Sequence, residues 1–236
     1  MAFLECRFFS EALGVSVTAN VLLPQQTSSQ IGLKGVADSD GAPMLYLLHG
    51  LSDDESIWLR RTSIERYATQ YGLAVIMPDG GRSYYADMFH GGKYWTYLSE
   101  ELPRVMQSFF RFSTKREDTF AAGLSMGGYG AMKLALHCPE KFAAAAVLSA
   151  SPREMAWMKE HDERMYERRA LSARINHGSV EAYEASYENA WRLIDEHAHD
   201  QNLPRLYFTC GIEDGGYPAF KRFQEHAEAI GLNAVR

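Results

Sequence analysis

The sequence predicts an α/β fold: a mostly parallel central sheet with helices on both faces. Three observations carry that prediction. Short apolar runs alternate with longer helical patterns along most of the 236 residues. Two of the runs, MLYLLHG (Met44 to Gly50) and LAVIMPDG (Leu73 to Gly80), are continuously apolar, as strands covered on both faces must be. A third, TFAAG (Thr119 to Gly123), leads through a serine set between glycines into a helical stretch.

Bulk properties narrow the field further. A chain of 236 residues fits one domain, residues 1–236, large enough to bury a sizeable core. Apolar content of 46% and charged content of 23% are those of an ordinary globular protein. The formal net charge of -6 argues against nucleic acid as a main partner, because phosphate binding needs a basic surface. No segment approaches a membrane span, and the N-terminus lacks the features of a signal peptide. Cys6, Cys138 and Cys210 are odd in number and far apart, which suits a reducing, cytoplasmic setting. A homo-oligomer is compatible with all of this and required by none of it.

In chain order, VSVTANVLLP (Val15 to Pro24) alternates and is expected to form an antiparallel edge strand. The polar stretch from Gln25 to Pro43 reads as a loop. After the strand at Met44, a helix is marked by Thr62 and Glu65 at capping-box spacing, with Ile64, Tyr67, Ala68 and Tyr71 on one face. The strand at Leu73 precedes a helix through Leu98, Leu102, Val105, Met106, Phe109 and Phe110, which Pro103 should kink or start. TFAAG and AAAAVLSAS are two further strands around the helix YGAMKLAL. Residues from about 152 to 202 are charged and helical in pattern, with Ser179 a candidate N-cap; such a cap-like insertion belongs over the carboxyl edge of the sheet. RLYFTCG (Arg205 to Gly211) resumes the sheet, and a helix from about Pro218 to Ile230 ends at Gly231. The closing LNAVR reads as the first residues of a last strand that the sequence does not complete.

The pattern Gly123-Leu124-Ser125-Met126-Gly127 between strand and helix matches the nucleophile elbow of α/β-hydrolases. There the serine occupies a strained turn, and strand and helix approach too closely for side chains at the two glycines. A serine hydroxyl needs a base and its oxyanion needs donors. The N–H of Met126 is one candidate donor, and the N–H of Leu51, in the loop that opens HGLSDD, is the other. In this fold an acid follows a later strand, and TCGIEDGG offers Asp214, preferred over Glu213, against the plain alternative of two solvated loop carboxylates. His49 lies before the serine, and a role holding the oxyanion loop suits it better than that of base.

The long motifs LLHGLSDDESIWLRRTSIERYA, VIMPDGGRSYYADM, YLSEELPRVMQSFF, FAAGLSMGGYGAMKLAL and TCGIEDGGYPAF, taken together, resemble the tributyrin esterase branch of the esterase D family, which also holds S-formylglutathione hydrolases. The resemblance spans about Pro43 to Phe220 and weakens in the insertion. It implies a serine carboxylesterase acting on small-molecule, short acyl esters with neither metal nor organic cofactor. Carried across, it implies Ser125 as nucleophile, Asp214 as acid, and Leu51 and Met126 as oxyanion donors. It also implies a histidine after one more strand, often in a Gly-x-His-x-Trp setting, and no such histidine occurs up to Arg236. His226 does not replace it, since it lies roughly 12 Å down its helix and points away. The expected base therefore lies beyond the sequence given. A non-catalytic, hydrolase-like binding protein is the alternative from another class.

Other residues have two readings each. Tyr85 and Trp95, with Tyr84 and Asp87, are expected to line the pocket entrance and touch substrate, although buried aromatics are often simply core. Met155, Met158 and Met165 near Trp157 form either a lid over the site or a surface helix packed on the core. DEHAHD (Asp195 to Asp200) has its histidines about 200° apart on a helix, wrong for one metal, and reads as a solvated helix end. Cys210 reads as buried filler.

Overall fold

The computed structural model describes residues 1–31, 34–37 and 41–235. Eight strands form one sheet in the order β1-β2-β4-β3-β5-β6-β7-β8. They are β1 (Ala2–Ser10), β2 (Val15–Leu23), β3 (Met44–Leu48), β4 (Ala74–Pro78), β5 (Thr119–Leu124), β6 (Ala144–Leu148), β7 (Arg205–Thr209) and β8 (Ala234–Val235). From β4 through β8 every pairing is parallel, while β1 and β2 are antiparallel additions.

One expectation at the sheet edges needs correction. β2 is not an edge strand, because β1 pairs with it along its whole length after a tight turn closed by Gly14, whose φ is +67°. The alternation of Leu4, Cys6, Phe8 and Ser10 toward the protein carries that strand. At the far edge LNAVR does begin a further strand, as its pattern suggests: Ala234 and Val235 lie in register beside Leu206 and Tyr207 of β7.

Helices fill both faces. After β3 come α1 (Ile57–Arg61) and α2 (Ile64–Tyr71); Thr62 accepts the Ile64 N–H, though the helix is capped at Ser63. The next helix begins earlier than expected, as α3 (Tyr94–Thr96), then widens into a π-turn (Tyr97–Glu101) before α4 (Leu102–Phe109). Pro103 explains the widening. It has no N–H for the Ser99 carbonyl and its ring crowds that carbonyl, which instead accepts from Lys141 Nζ at 3.4 Å.

α5 (Met126–His137) follows β5 directly and is buried along almost its whole length. Between β6 and β7 stand α6 (Met155–His161), α7 (Glu163–His177), α8 (Val180–Ala185) and α9 (Ala190–His197). Ser179 caps α8 by accepting the Ala182 N–H at 3.0 Å. α10 (Tyr217–Ala229) is followed by Gly231 at φ +70°. The main core lies on one face of the sheet, through residues such as Tyr46, Ile76, Met132, Phe208 and Phe223, and a smaller cluster of Leu22, Leu47, Ala68, Val75 and Met77 covers the other. Met155, Met158, Ala170, Ala173 and Tyr183 form a separate apolar cluster inside the insertion.

Candidate active site

β5 ends and α5 begins with no intervening loop, so the chain must reverse within one residue. That residue is Ser125, with φ 53° and ψ -111°, a conformation costly for any residue with a Cβ. The flanking glycines make the turn sterically feasible. A Cβ on Gly123 would stand 2.2 Å from the Gly127 carbonyl, and one on Gly127 would stand 2.2 Å from the Leu48 carbonyl oxygen. Ser125 N–H donates to Leu148 O at 2.8 Å, which ties the turn to β6. The result is an exposed serine followed by residues that are buried without interruption from Met126 to Leu136.

Ser125 opens on a cavity of about 500 Å³. Asp214 lies on the same cavity, in the loop between β7 and α10, where its Oδ1 accepts the Gly216 N–H at 2.7 Å. Met126 supplies the first N–H of α5, which has no acceptor within its own helix. The loop after β3 approaches the turn closely: a Cβ on Gly50, next to Leu51, would sit 3.9 Å from Ser125 Cβ. Ser149 and Tyr84 also line the cavity, at φ 47° and 51°, so three of the four non-glycine residues with positive φ among those described gather there. Backbone strain concentrated in this way marks sites where geometry is imposed for chemistry.

His49 is buried behind the serine turn, with both ring nitrogens engaged. Nε2 accepts the Gly80 N–H at 2.8 Å, closer than the Asp79 carboxylate at 3.4 Å, so the proton sits on Nδ1 and is donated to Gly50 O at 2.7 Å. The ring braces the β3 loop and presents no lone pair to the cavity. His226 stacks on Trp191 and pairs with Asp195, on the side of α10 facing α9. No histidine among the described residues lines the cavity. Tyr129 does line it, but burial pushes its phenol up to about 12, so it keeps its proton at neutral pH and offers no base.

The expectation that Tyr85 and Trp95 touch substrate is corrected by their packing. Tyr85 is 1% exposed and turns into the core, its hydroxyl donating to His49 O at 3.2 Å. Trp95 lies outside the cavity, its ring against His137 and under the Lys133 ammonium at 4.6 Å. Asp87 is spent on Thr96, accepting its N–H and its hydroxyl. Only Tyr84 of that group reaches the cavity. The insertion does reach it, through Met158 and Met165, while Met155 and Trp157 pack within the insertion. In DEHAHD the side chains pair off separately, Asp195 with His226 and His197 with Asp200.

Sequence reasoning missed the arginines. Arg153, Arg164, Arg168 and Arg169 all line the cavity, and Arg169 packs its guanidinium over the rings of Tyr84, Tyr129 and Tyr183 at 4.4, 4.3 and 5.0 Å. The only available signal was their density in the run Arg164 to Arg169, which periodicity alone does not aim at a site.

Comparison with known proteins finds esterases and serine hydrolases. The chain is 28% identical over 218 residues to an acetyl esterase of Caldicellulosiruptor saccharolyticus, covering 91% of this chain and 81% of that one. Among solved structures, fluorophosphonate-binding serine hydrolase F of Staphylococcus aureus superposes with TM-score 0.82 at 33% identity, covering 99% of this chain and 88% of that one. An S-formylglutathione hydrolase of Staphylococcus aureus superposes with TM-score 0.80 at 33% identity, covering 99% and 89%. The fold is that of the α/β-hydrolases, and the protein is a serine hydrolase of carboxylic esters. Residues 10–217 match the model of the Putative esterase family, and the chain belongs to that family.

Proposed function

We propose that the protein is a carboxylesterase for short acyl esters, of the tributyrin esterase branch, in which Ser125 attacks the ester carbonyl. The amides of Met126 and Leu51 receive the oxyanion, and losing one such donor typically costs about 3 kcal/mol of transition-state stabilisation. Asp214 orients the histidine that takes the serine proton and returns it to the leaving alcohol, and water then releases the acyl group. That histidine follows one further strand in the resemblance, downstream of β8, and the proposed triad takes it from there. The residues from about 152 to 202 serve as a cap on the single domain, with Met158 and Met165 against the acyl chain. Three free thiols support a cytoplasmic setting. Among the described residues no helix is long and apolar enough to cross a membrane.

One observation carries the reading: a positive-φ serine, exposed on a cavity that also holds Asp214. The test is Ser125→Ala, which should abolish both fluorophosphonate labelling and turnover of p-nitrophenyl butyrate; unchanged labelling refutes it. A second reading, hydrolysis of S-formylglutathione, is favoured by the Staphylococcus aureus hydrolase of that name. Comparing that thioester with p-nitrophenyl esters separates the two.

A further inference from the structure

The charge around Ser125 is of the wrong sign for a site that handles only neutral esters. The protein carries a formal net charge of -6, yet its cavity is lined by four arginines and a single carboxylate, Asp214. None of the four arginines is in an ion pair among the described residues, although Arg174 and Arg222 nearby in the sequence and fold do pair with Glu167 and Glu154. Arg153 is the most informative. It is 8% exposed, and the hydrogen bond it makes runs from Nη1 to the Gly216 carbonyl at 3.1 Å. A guanidinium has five N–H donors, and the hydrogen bond to Gly216 engages only part of that fork, with Asp214, on the other side of Gly216, the one carboxylate of the cavity lining.

Helix α7 repeats the arrangement. Arg164 and Arg168 stand four residues apart on the face toward the cavity, a like-charge spacing that weakens a helix unless something repays it. The acidic residues of the same helix, Glu163 and Glu167, do not line the cavity. Arg169 is held differently, caged by three tyrosine rings with its Nε buried and unpartnered. Arginine forks suit planar oxyanions, which they bind in paired hydrogen bonds.

We propose that the substrate carries, besides the ester cleaved at Ser125, a carboxylate held by Arg153 from the loop after β6 and by Arg164 and Arg168 from α7. This rests on Ser125 being the reacting residue, and it specifies what that residue acts on: acidic esters or thioesters in preference to neutral ones. The carboxylate belongs either to the acyl part or to the leaving group.

Binding to the Ser125→Ala protein, followed by calorimetry, tests this without turnover. Monomethyl succinate carries its charge on the acyl side, S-methylglutathione on the leaving-group side, and dimethyl succinate carries none. One of the charged compounds should bind at least about tenfold more tightly than the diester, and the ratio should fall toward one at high salt and in Arg164→Ala/Arg168→Ala. Both arginines are exposed, so the double variant should fold. Which charged compound wins identifies the side that bears the carboxylate. Equal affinity for all three, or a preference that survives loss of both arginines, overturns the proposal. Failure of the Ser125 assignment would register separately, as wild-type protein that does not label with a fluorophosphonate while the carboxylate preference persists.

Discussion

The turn around Ser125 and the helical insertion across the cavity from it are built on opposite terms. The turn is set by backbone contact: Gly123 and Gly127 let β5, α5 and the end of β3 approach until no Cβ fits. The insertion is set by long side chains. Its anchors on α5 are the buried pair Lys133–Glu188 and the Arg169 guanidinium stacked on Tyr129. Position is dictated by backbone sterics in the first region; in the second, charge and ring stacking add to the apolar packing of Ala190, Leu193 and Ile194 in the core. The two regions should therefore respond differently to substitution and to pH.

The largest effect should come from adding a single methyl to the turn. In Gly127→Ala the new Cβ would stand 2.2 Å from Leu48 O and 2.8 Å from His49 O, both backbone atoms of a central strand and its loop. Neither can move without opening the sheet, so a loss of about 3 kcal/mol or more is expected in urea unfolding. Gly211→Ala is the control, because its Cβ meets nothing within 4 Å, and it should change stability by no more than about 0.5 kcal/mol. Equal effects in the two variants would mean that the turn is not close-packed.

The contrast also explains what was legible in the sequence. Around Ser125 the glycines can be read because only one residue type satisfies the geometry. Strands β3 to β7 follow from their apolar runs. β1 was missed because a half-exposed strand with charges at Glu5 and Arg7 gives a weak signal alone, and its partner β2 was mistaken for the edge. Tyr85 and Trp95 were misassigned for a related reason. Aromatic residues near a motif suit core and pocket equally, and Tyr84 and Tyr85 differ only in which way two successive positive-φ residues turn their rings. The cavity arginines lie in a region whose charged helical pattern specifies a surface, and only the tertiary fold turns that surface toward Ser125.

Breaking the anchor of the insertion should rank next. Lys133 Nζ is held by Glu188, donates to Tyr85 O at 2.8 Å and lies over Trp95, with the two charged side chains 2% and 6% exposed. Glu188→Ala strands a buried ammonium, which typically costs about 3–5 kcal/mol. Burial already pulls the Lys133 pKa down, so the variant should partly offset the loss by shedding that proton. Adding Lys133→Met should recover most of the stability, since an apolar side chain of similar length needs no counter-charge. If the double variant is as unstable as the single one, the pair is not what holds the insertion on α5.

The smallest effect, and the one that most sharpens the comparison, is the insertion's response to acid. His177, at the end of α7, has its pKa lowered from the ordinary 6.5 to about 4, first by burial and then by the charges of Lys133 and Arg169. Between those two values the unfolded chain binds a proton that the folded protein refuses. Stability from this group is thus complete above pH 6.5 and drains away as pH falls toward 4. In His177→Asn the melting temperature should fall less steeply over that interval than in the wild type. Because the ring is only partly buried, the difference should be smaller than either substitution effect above. Limited proteolysis should locate it, with cleavage in α7 to α9 appearing before any in the sheet. Parallel acid curves for the two proteins would show that neither burial nor the Lys133 and Arg169 charges hold His177 neutral, and that acid does not loosen the insertion through this residue.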